Sequence, residues 1–250
     1  EHFLVMELVQ GESLDVFLRE RNPALRERLD LFDHICKAIN HAHQRFVIHL
    51  DIKPSNIMVD ADGHPKILDF GHARIGGSES SSTTILTKVG PFRGTLPYMS
   101  PERFLGDLNQ VDLRADVYSL GVILFELLTG ELPFVVSKNA PHETVRRICE
   151  ETPRRPSRFN DSLRGDMETI ILKALEREPA RRYQSALAIA EDIDRYLTKR
   201  PILARPPNGV YEFRKIVARH RIPFALTVAF LVLTVAFGVW SNWPGTDRQR

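Results

Sequence analysis

His49-Leu50-Asp51-Ile52-Lys53-Pro54-Ser55-Asn56, followed by Asp69-Phe70-Gly71, is the stretch on which the reading of this chain turns. It supplies an aspartate, a lysine two residues on, an asparagine three beyond that, and a second aspartate ahead of Phe-Gly. Moving a phosphoryl group needs a carboxylate to accept a hydroxyl proton and a cation on the moving phosphate. It also needs an amide and a second carboxylate to hold Mg²⁺. Asp and Asn are common turn residues taken singly, but a turn does not require this set in this order.

Outward from that stretch the pattern stays regular. Phe46-Val47-Ile48 leads in, and Ile57-Met58-Val59 and Lys66-Ile67-Leu68 flank Asp62-Gly63. This predicts a hairpin that sets the two functional stretches side by side. Upstream, Leu25, Leu29, Phe32, Ile35, Cys36, Ile39 and Ala42 recur at three- and four-residue steps between Ala24 and His43, the period of an amphipathic helix. His34, His41 and His43 on that helix invite a metal reading, but His41 and His43, two apart, lie on different faces and argue against it. Phe3 to Val9 is a short apolar run closed by Gly11, which suits a buried strand ending in a turn. Downstream, Gly76 to Gly90 is rich in Gly, Ser and Thr and predicts a mobile loop. Its Ser78, Ser80, Ser81, Ser82, Thr83, Thr84 and Thr87 are candidate phosphoacceptors, although a solvated loop has the same composition. Asp116-Val117-Tyr118-Ser119-Leu120-Gly121 opens a strongly apolar helix that runs to Leu128 and stops at Thr129-Gly130, with Pro133 beyond. Such a helix belongs at the centre of a helical lobe. Met167–Leu175 and Ser185–Leu197 predict two more amphipathic helices.

Read together, from Glu1 to about Leu197, these motifs resemble the eukaryotic-like Ser/Thr protein kinases of bacteria. The resemblance implies an α+β, protein-kinase-like fold, mainly its α-helical large lobe, with ATP and Mg²⁺ as cofactors and protein Ser/Thr hydroxyls as acceptors. It places Met6 at the gatekeeper position and the backbone groups of Glu7 and Val9 on the adenine ring. Asp51 becomes the base, Lys53 stabilises charge on the transferring phosphate, and Asn56 and Asp69 hold Mg²⁺. Thr95, in Gly94-Thr95, touches Asp51 and Lys53 and shapes the site for a Ser or Thr acceptor. Glu102, in Ser100-Pro101-Glu102, pairs with Arg182 in a buried ion pair, and His49 and Gly71 support the two functional stretches. Asp116 accepts hydrogen bonds from the loop backbone, although a helix N-cap would also account for an aspartate there. The chain departs from the family in three places. Leu50 stands where members regulated by activation-segment phosphorylation have Arg, and leucine cannot pair with a phosphate. Ser100 stands where Ala is usual. His72 after Asp-Phe-Gly has no account.

Composition sets the outer bounds. In 250 residues, 43% hydrophobic and 26% charged, a sizeable core is affordable and the class is ordinary globular. Thirty-four basic against 32 acidic side chains leave a net charge of +2, so nothing global points to nucleic acid. Cys36 and Cys149 lack any ligand spacing and read as plain buried thiols. After Leu197, Lys199-Arg200-Pro201 and Arg205-Pro206-Pro207-Asn208-Gly209 read as a linker, followed by Arg214-Lys215 and Arg219-His220-Arg221. Ile222 to Trp240 carries no charge and is long enough for one membrane-spanning helix, with Trp240 and Trp243 where interfacial aromatics belong. The basic flank puts the lobe on the cytoplasmic side of a bacterial inner or plasma membrane, as a single-pass protein. The expected organisation is therefore residues 1–10 as the end of the small lobe and hinge, 11–198 as the large lobe, 199–221 as a basic juxtamembrane linker, 222–240 as the span and 241–250 as an outer stub.

No Gly-rich phosphate loop, strand lysine or partner glutamate helix occurs in the sequence given, and the chain opens at Glu1 without a leader. The expectation is a piece of a longer kinase, inefficient by itself. A truncated or pseudokinase binding module is the alternative, supported by Leu50. A small-molecule phosphotransferase shares the Asp, Asn and metal Asp, but the segment from Gly94 to Glu102 argues for a protein acceptor. A homodimer is compatible with either kinase reading.

Overall fold

Chain periodicity decides the helical half of the molecule. The computed structural model describes residues 7–70, 74–75, 94–105, 111–137, 139–206, 208–209, 211–212, 215, 230 and 232–238. In order these form β1 (Gly11–Ser13), α1 (Leu14–Arg21), α2 (Leu25–His43), β2 (Val47–Ile48), β3 (Ile57–Asp60), β4 (Pro65–Ile67), β5 (Arg74–Ile75), α3 (Arg114–Thr129), α4 (Pro141–Glu150), α5 (Asp166–Ala174) and α6 (Ala186–Leu197). Every residue of α3 from Ala115 to Phe125 is buried, as a helix apolar on all sides must be. It ends where Gly130 turns left-handed at φ 72° and donates its N–H to the Glu126 carbonyl. Around it pack α2, through Leu29, Phe32, Ile35, Cys36 and Ile39, and α6, through Ile189, Ala190 and Ile193, with α5 against both α3 and α6. Gly121 lets α3 and α5 approach closely, since a Cβ there would lie 2.8 Å from the Cβ of Ala174. The Ser185 hydroxyl caps α6 by accepting the N–H of Ala188 at 3.1 Å.

The strands form a small antiparallel sheet ordered β1-β3-β4 and a separate β2-β5 pair. Asp60 closes the β3-β4 hairpin by accepting the N–H groups of Asp62 and His64, and Gly63 supplies the left-handed turn residue at φ 84°. The sequence reading differs from the structure at β1. Gly11, read as the stop of a strand over Phe3–Val9, instead begins one, opposite Asp60. A Cβ there would sit 2.4 Å from the Val59 carbonyl oxygen, so only glycine lets the strands meet. Residues 7–10 have no regular structure and Leu8 is exposed, while Phe3 to Met6 lie outside the described residues. Helices α1 and α4 were not anticipated. Each is short and charged, with only two buried residues.

The basic stretch after α6 is held against the lobe over its first part. Buried Asp192 accepts the N–H groups of Leu203 at 2.6 Å and Ala204 at 2.8 Å, together with the Tyr183 hydroxyl at 2.8 Å. The Tyr211 hydroxyl accepts from the Ile202 N–H and donates to Asp166, whose carboxylate also meets Arg205 and Lys215. Residues 230 and 232–238 are helical, with Phe230, Val232, Leu233, Val235 and Phe237 exposed. Among the described residues no helix is long and apolar enough to cross a membrane; most of 222–240 lies outside them.

Candidate active site

The connection between β2 and β3 folds the Asp-Lys-Asn set onto itself. Pro54 opens a short 3-10 turn, where its missing N–H is no loss, and the Asn56 N–H bonds the Lys53 carbonyl at 3.0 Å. That turn brings the Asn56 amide back over Asp51, where Nδ2 donates to the backbone oxygen at 2.9 Å and to Oδ2 at 3.0 Å. Lys53 Nζ donates to the same Oδ2 at 2.8 Å and to Thr95 Oγ1 at 2.9 Å. Asp51 is buried with these cationic and amide donors on one oxygen, so its carboxylate has one fixed orientation. Asp51, Lys53, Asn56 and Thr95 are thus one connected cluster.

His49 joins this cluster to the second stretch. Its Nδ1 accepts the Asp51 N–H at 3.2 Å, so the ring proton sits on Nε2, which donates to the Leu68 carbonyl at 3.0 Å. The Leu68 N–H bonds the Asn56 carbonyl at 2.8 Å, and the His49 and Phe70 rings stand 4.6 Å apart. Asp69 follows directly, in the left-handed region at φ 61°. Hard cations take oxygen ligands. With both Asn56 Nδ2 bonds on Asp51, its amide oxygen is the atom presented for that role, together with the Asp69 carboxylate. This donor set suits Mg²⁺.

Asp116, wholly buried in the first turn of α3, holds the loop from below. One oxygen accepts the His49 N–H at 2.8 Å and the other the Leu50 N–H at 2.8 Å. His43 Nε2 lies 2.8 Å from the first of these, a contact the sequence did not reveal because His43 and Asp116 are 73 residues apart. Leu50 itself is at φ 63°, a strained conformation for a branched side chain that persists only where neighbours impose it. Its side chain sits in a small apolar cluster with Val111, Ala115 and Ile48, and its carbonyl accepts a hydrogen bond from Arg103 Nη1. Arg103 was also missed, since an arginine after Ser-Pro-Glu carries no mark of burial.

Glu102 and Arg182 form a bidentate pair at 2.8 and 2.7 Å, and Arg182 further donates to the carbonyls of Arg114, Glu176 and Arg177. Breaking such a buried pair typically costs roughly 3–5 kcal/mol. The Ser100 hydroxyl is buried and finds no partner among the described residues. Nearby, the Tyr98 hydroxyl donates to Glu126 at 2.6 Å, and burial, opposed by this bond, holds the Glu126 carboxyl above the ordinary range. Of the remaining predicted positions, Met6 and Gly71 lie outside the described residues. So do His72 and the candidate phosphoacceptors of the loop from Gly76 to Gly90. Glu7 and Val9 lie on irregular chain, with Glu7 paired to Lys66. Cys36 is buried and Cys149 half-buried, both as free thiols. Asp60, Asp62 and His64 bring ligand-type atoms together, but Asp60 already serves the hairpin turn.

A family model described as the protein kinase domain matches residues 1–192. Serine/threonine-protein kinase PknB of Mycobacterium tuberculosis is 38% identical over 194 residues, 77% of this chain and 30% of that protein. PknB of Mycobacterium leprae is 36% identical over 200 residues, 80% of this chain and 31% of that protein. Serine/threonine-protein kinase PrkC of Bacillus subtilis is 39% identical over 193 residues, 77% of this chain and 28% of that protein. The chain spans about 30% of the length of these curated relatives. With the match covering the loop, the Glu102–Arg182 pair and the helices beneath them, the chain belongs to the protein kinase domain family, in its bacterial Ser/Thr branch.

Proposed function

We propose that this chain carries the catalytic loop of a Ser/Thr protein kinase, which moves the γ-phosphoryl group of ATP to a protein Ser or Thr hydroxyl. The observation that carries this reading is the single cluster of Asp51, Lys53, Asn56 and Thr95. Two donors occupy Asp51 Oδ2, which leaves its other oxygen to take the proton of the acceptor hydroxyl. As that proton moves to Asp51, the hydroxyl oxygen bonds the γ-phosphorus, the bond to the bridging oxygen of ATP breaks, and ADP leaves. Lys53, held between Asp51 Oδ2 and the Thr95 hydroxyl, stabilises charge on the transferring group. Asn56 and Asp69 would hold Mg²⁺, which supplies charge neutralisation on the phosphates when bound.

Membrane attachment through 222–240 belongs to the same proposal. It is supported by the uncharged run from Ile222 to Trp240 and by the basic residues ahead of it. In the natural full-length protein, Asp51→Asn is expected to lower kcat by roughly 10²–10⁴ while nucleotide affinity stays nearly unchanged. Asp69→Ala is expected to weaken Mg²⁺-nucleotide binding as well. Undiminished phosphorylation of a generic protein substrate by either variant would remove the assignment. Carbonate extraction tests the anchor: the protein should stay with the membrane, and a variant ending before Ile222 should be released.

A further inference from the structure

Leu50 is the residue whose peptide sets the orientation of Asp51, and the structure grips it from both ends. Its N–H is taken by Asp116 at 2.8 Å and its carbonyl by Arg103, while its side chain is enclosed with Val111 and Ala115. This grip maintains φ 63° in a residue that otherwise avoids it. Arg103 is well placed to act as a fixed support. It directly follows Glu102, which Arg182 clamps at 2.8 and 2.7 Å, and Arg182 is in turn bonded to three backbone carbonyls around α3 and the chain before α6. A continuous path of contacts therefore runs from the helical core through Arg182 and Glu102 to Arg103, and from its guanidinium to the carbonyl that joins Leu50 to Asp51. No phosphate group is needed anywhere along it.

The guanidinium is also among opposite charges. Burial lowers its pKa, and Asp116, Asp51 and Glu102 oppose this by favouring its cationic form. Arg103 brings a guanidinium to the Leu50 carbonyl from the neighbouring segment.

We propose that Arg103 is a positioning residue for the phosphoryl-transfer site: by holding the Leu50 carbonyl it fixes the direction of Asp51 through a permanent contact rather than one made by phosphorylation. This rests on the function proposed above for Asp51, and the test separates the two. Arg103→Met keeps length and packing but removes the donor and charge, and Arg103→Lys keeps the charge and one donor. In the full-length protein, treated with phosphatase, Arg103→Met is expected to lower kcat by about 10²-fold, the scale of a misplaced catalytic group, with the ATP KM within about twofold. Arg103→Lys is expected to recover most of that loss. Independently of activity, hydrogen exchange of the peptide spanning 47–52 should speed up in Arg103→Met, while exchange in α3 and α5 stays at the wild-type rate. Wild-type kcat and wild-type exchange in Arg103→Met would overturn the proposal. So would an acceleration spread evenly over the lobe, which would make Arg103 a general packing residue, or a Lys variant no better than Met. If Asp51→Asn instead kept full activity, the functional reading would fall, and the exchange result would still decide whether Arg103 holds the loop.

Discussion

Glu126 carries a charge that its surroundings disfavour. Burial raises its pKa from the ordinary 4.5, and Asp15 adds to the rise, while the Tyr98 hydroxyl pulls it back. Between the ordinary value and the raised one, the folded state binds more protons than the unfolded state. Stability therefore falls as pH rises through that window and stays lowered above it. Glu126→Gln keeps an acceptor for Tyr98 without the charge. It should melt at a higher temperature than wild type at pH 7.5, and the gap should close toward pH 4; a gap constant with pH would contradict the burial argument. At this scale the sequence was legible where neighbours in the chain are also neighbours in space. Asp51, Lys53 and Asn56 lie within six residues and could be read as one set. His43 and Arg103 were not legible, because what defines them is a partner tens of residues away, Asp116 for one and Leu50 for the other.

Between elements, the tightest approach is that of α3 and α5 at Gly121. Alanine there would gain about 1 kcal/mol in helix propensity. It would also place a methyl 2.8 Å from the Ala174 Cβ, and overpacking of this kind costs roughly 1–3 kcal/mol. Gly121→Ala is expected to be destabilising by up to about 2 kcal/mol in urea titration, and adding Ala174→Gly should restore most of the loss. A stabilised single variant would show that the two helices are not held as closely as described. Helices with a long apolar stripe, α2, α3, α5 and α6, could be read from the sequence to within about two residues, a margin usual for helix ends. The three-residue β1 and the charged α1 and α4 could not, since a short element owes its form to what it packs on rather than to its own period. The β3-β4 hairpin was legible through Asp62-Gly63, but its third strand was hidden behind a glycine that ordinarily signals a stop.

Across the whole molecule, composition said least about how the chain after Leu197 is held. Arg- and Pro-rich sequence reads as a linker, and its docking depends on backbone N–H groups that any sequence would offer, captured by Asp192. Hydrogen bonds to a buried charge are worth roughly 1.5–3 kcal/mol each and do not add. Asp192→Ala should therefore detach residues 201–206, and limited chymotrypsin digestion after Leu203 should quicken with the lobe core still intact. Cleavage at the wild-type rate would mean that Asp192 is not the fastening. Asp116 has a further consequence, for the order of folding. It ties His49 to α3 across 67 residues and His43 across 73, and Arg182 reaches Glu102 across 80. Loops of that length close only after local helices are in place, because chain entropy opposes them until the far partner is already fixed. The helical framework then forms early in refolding and the reactive loop late. In rising denaturant the fluorescence of a nucleotide analogue at the proposed site should vanish before the helical circular dichroism does, so that stress would open this loop while most of the domain is still standing.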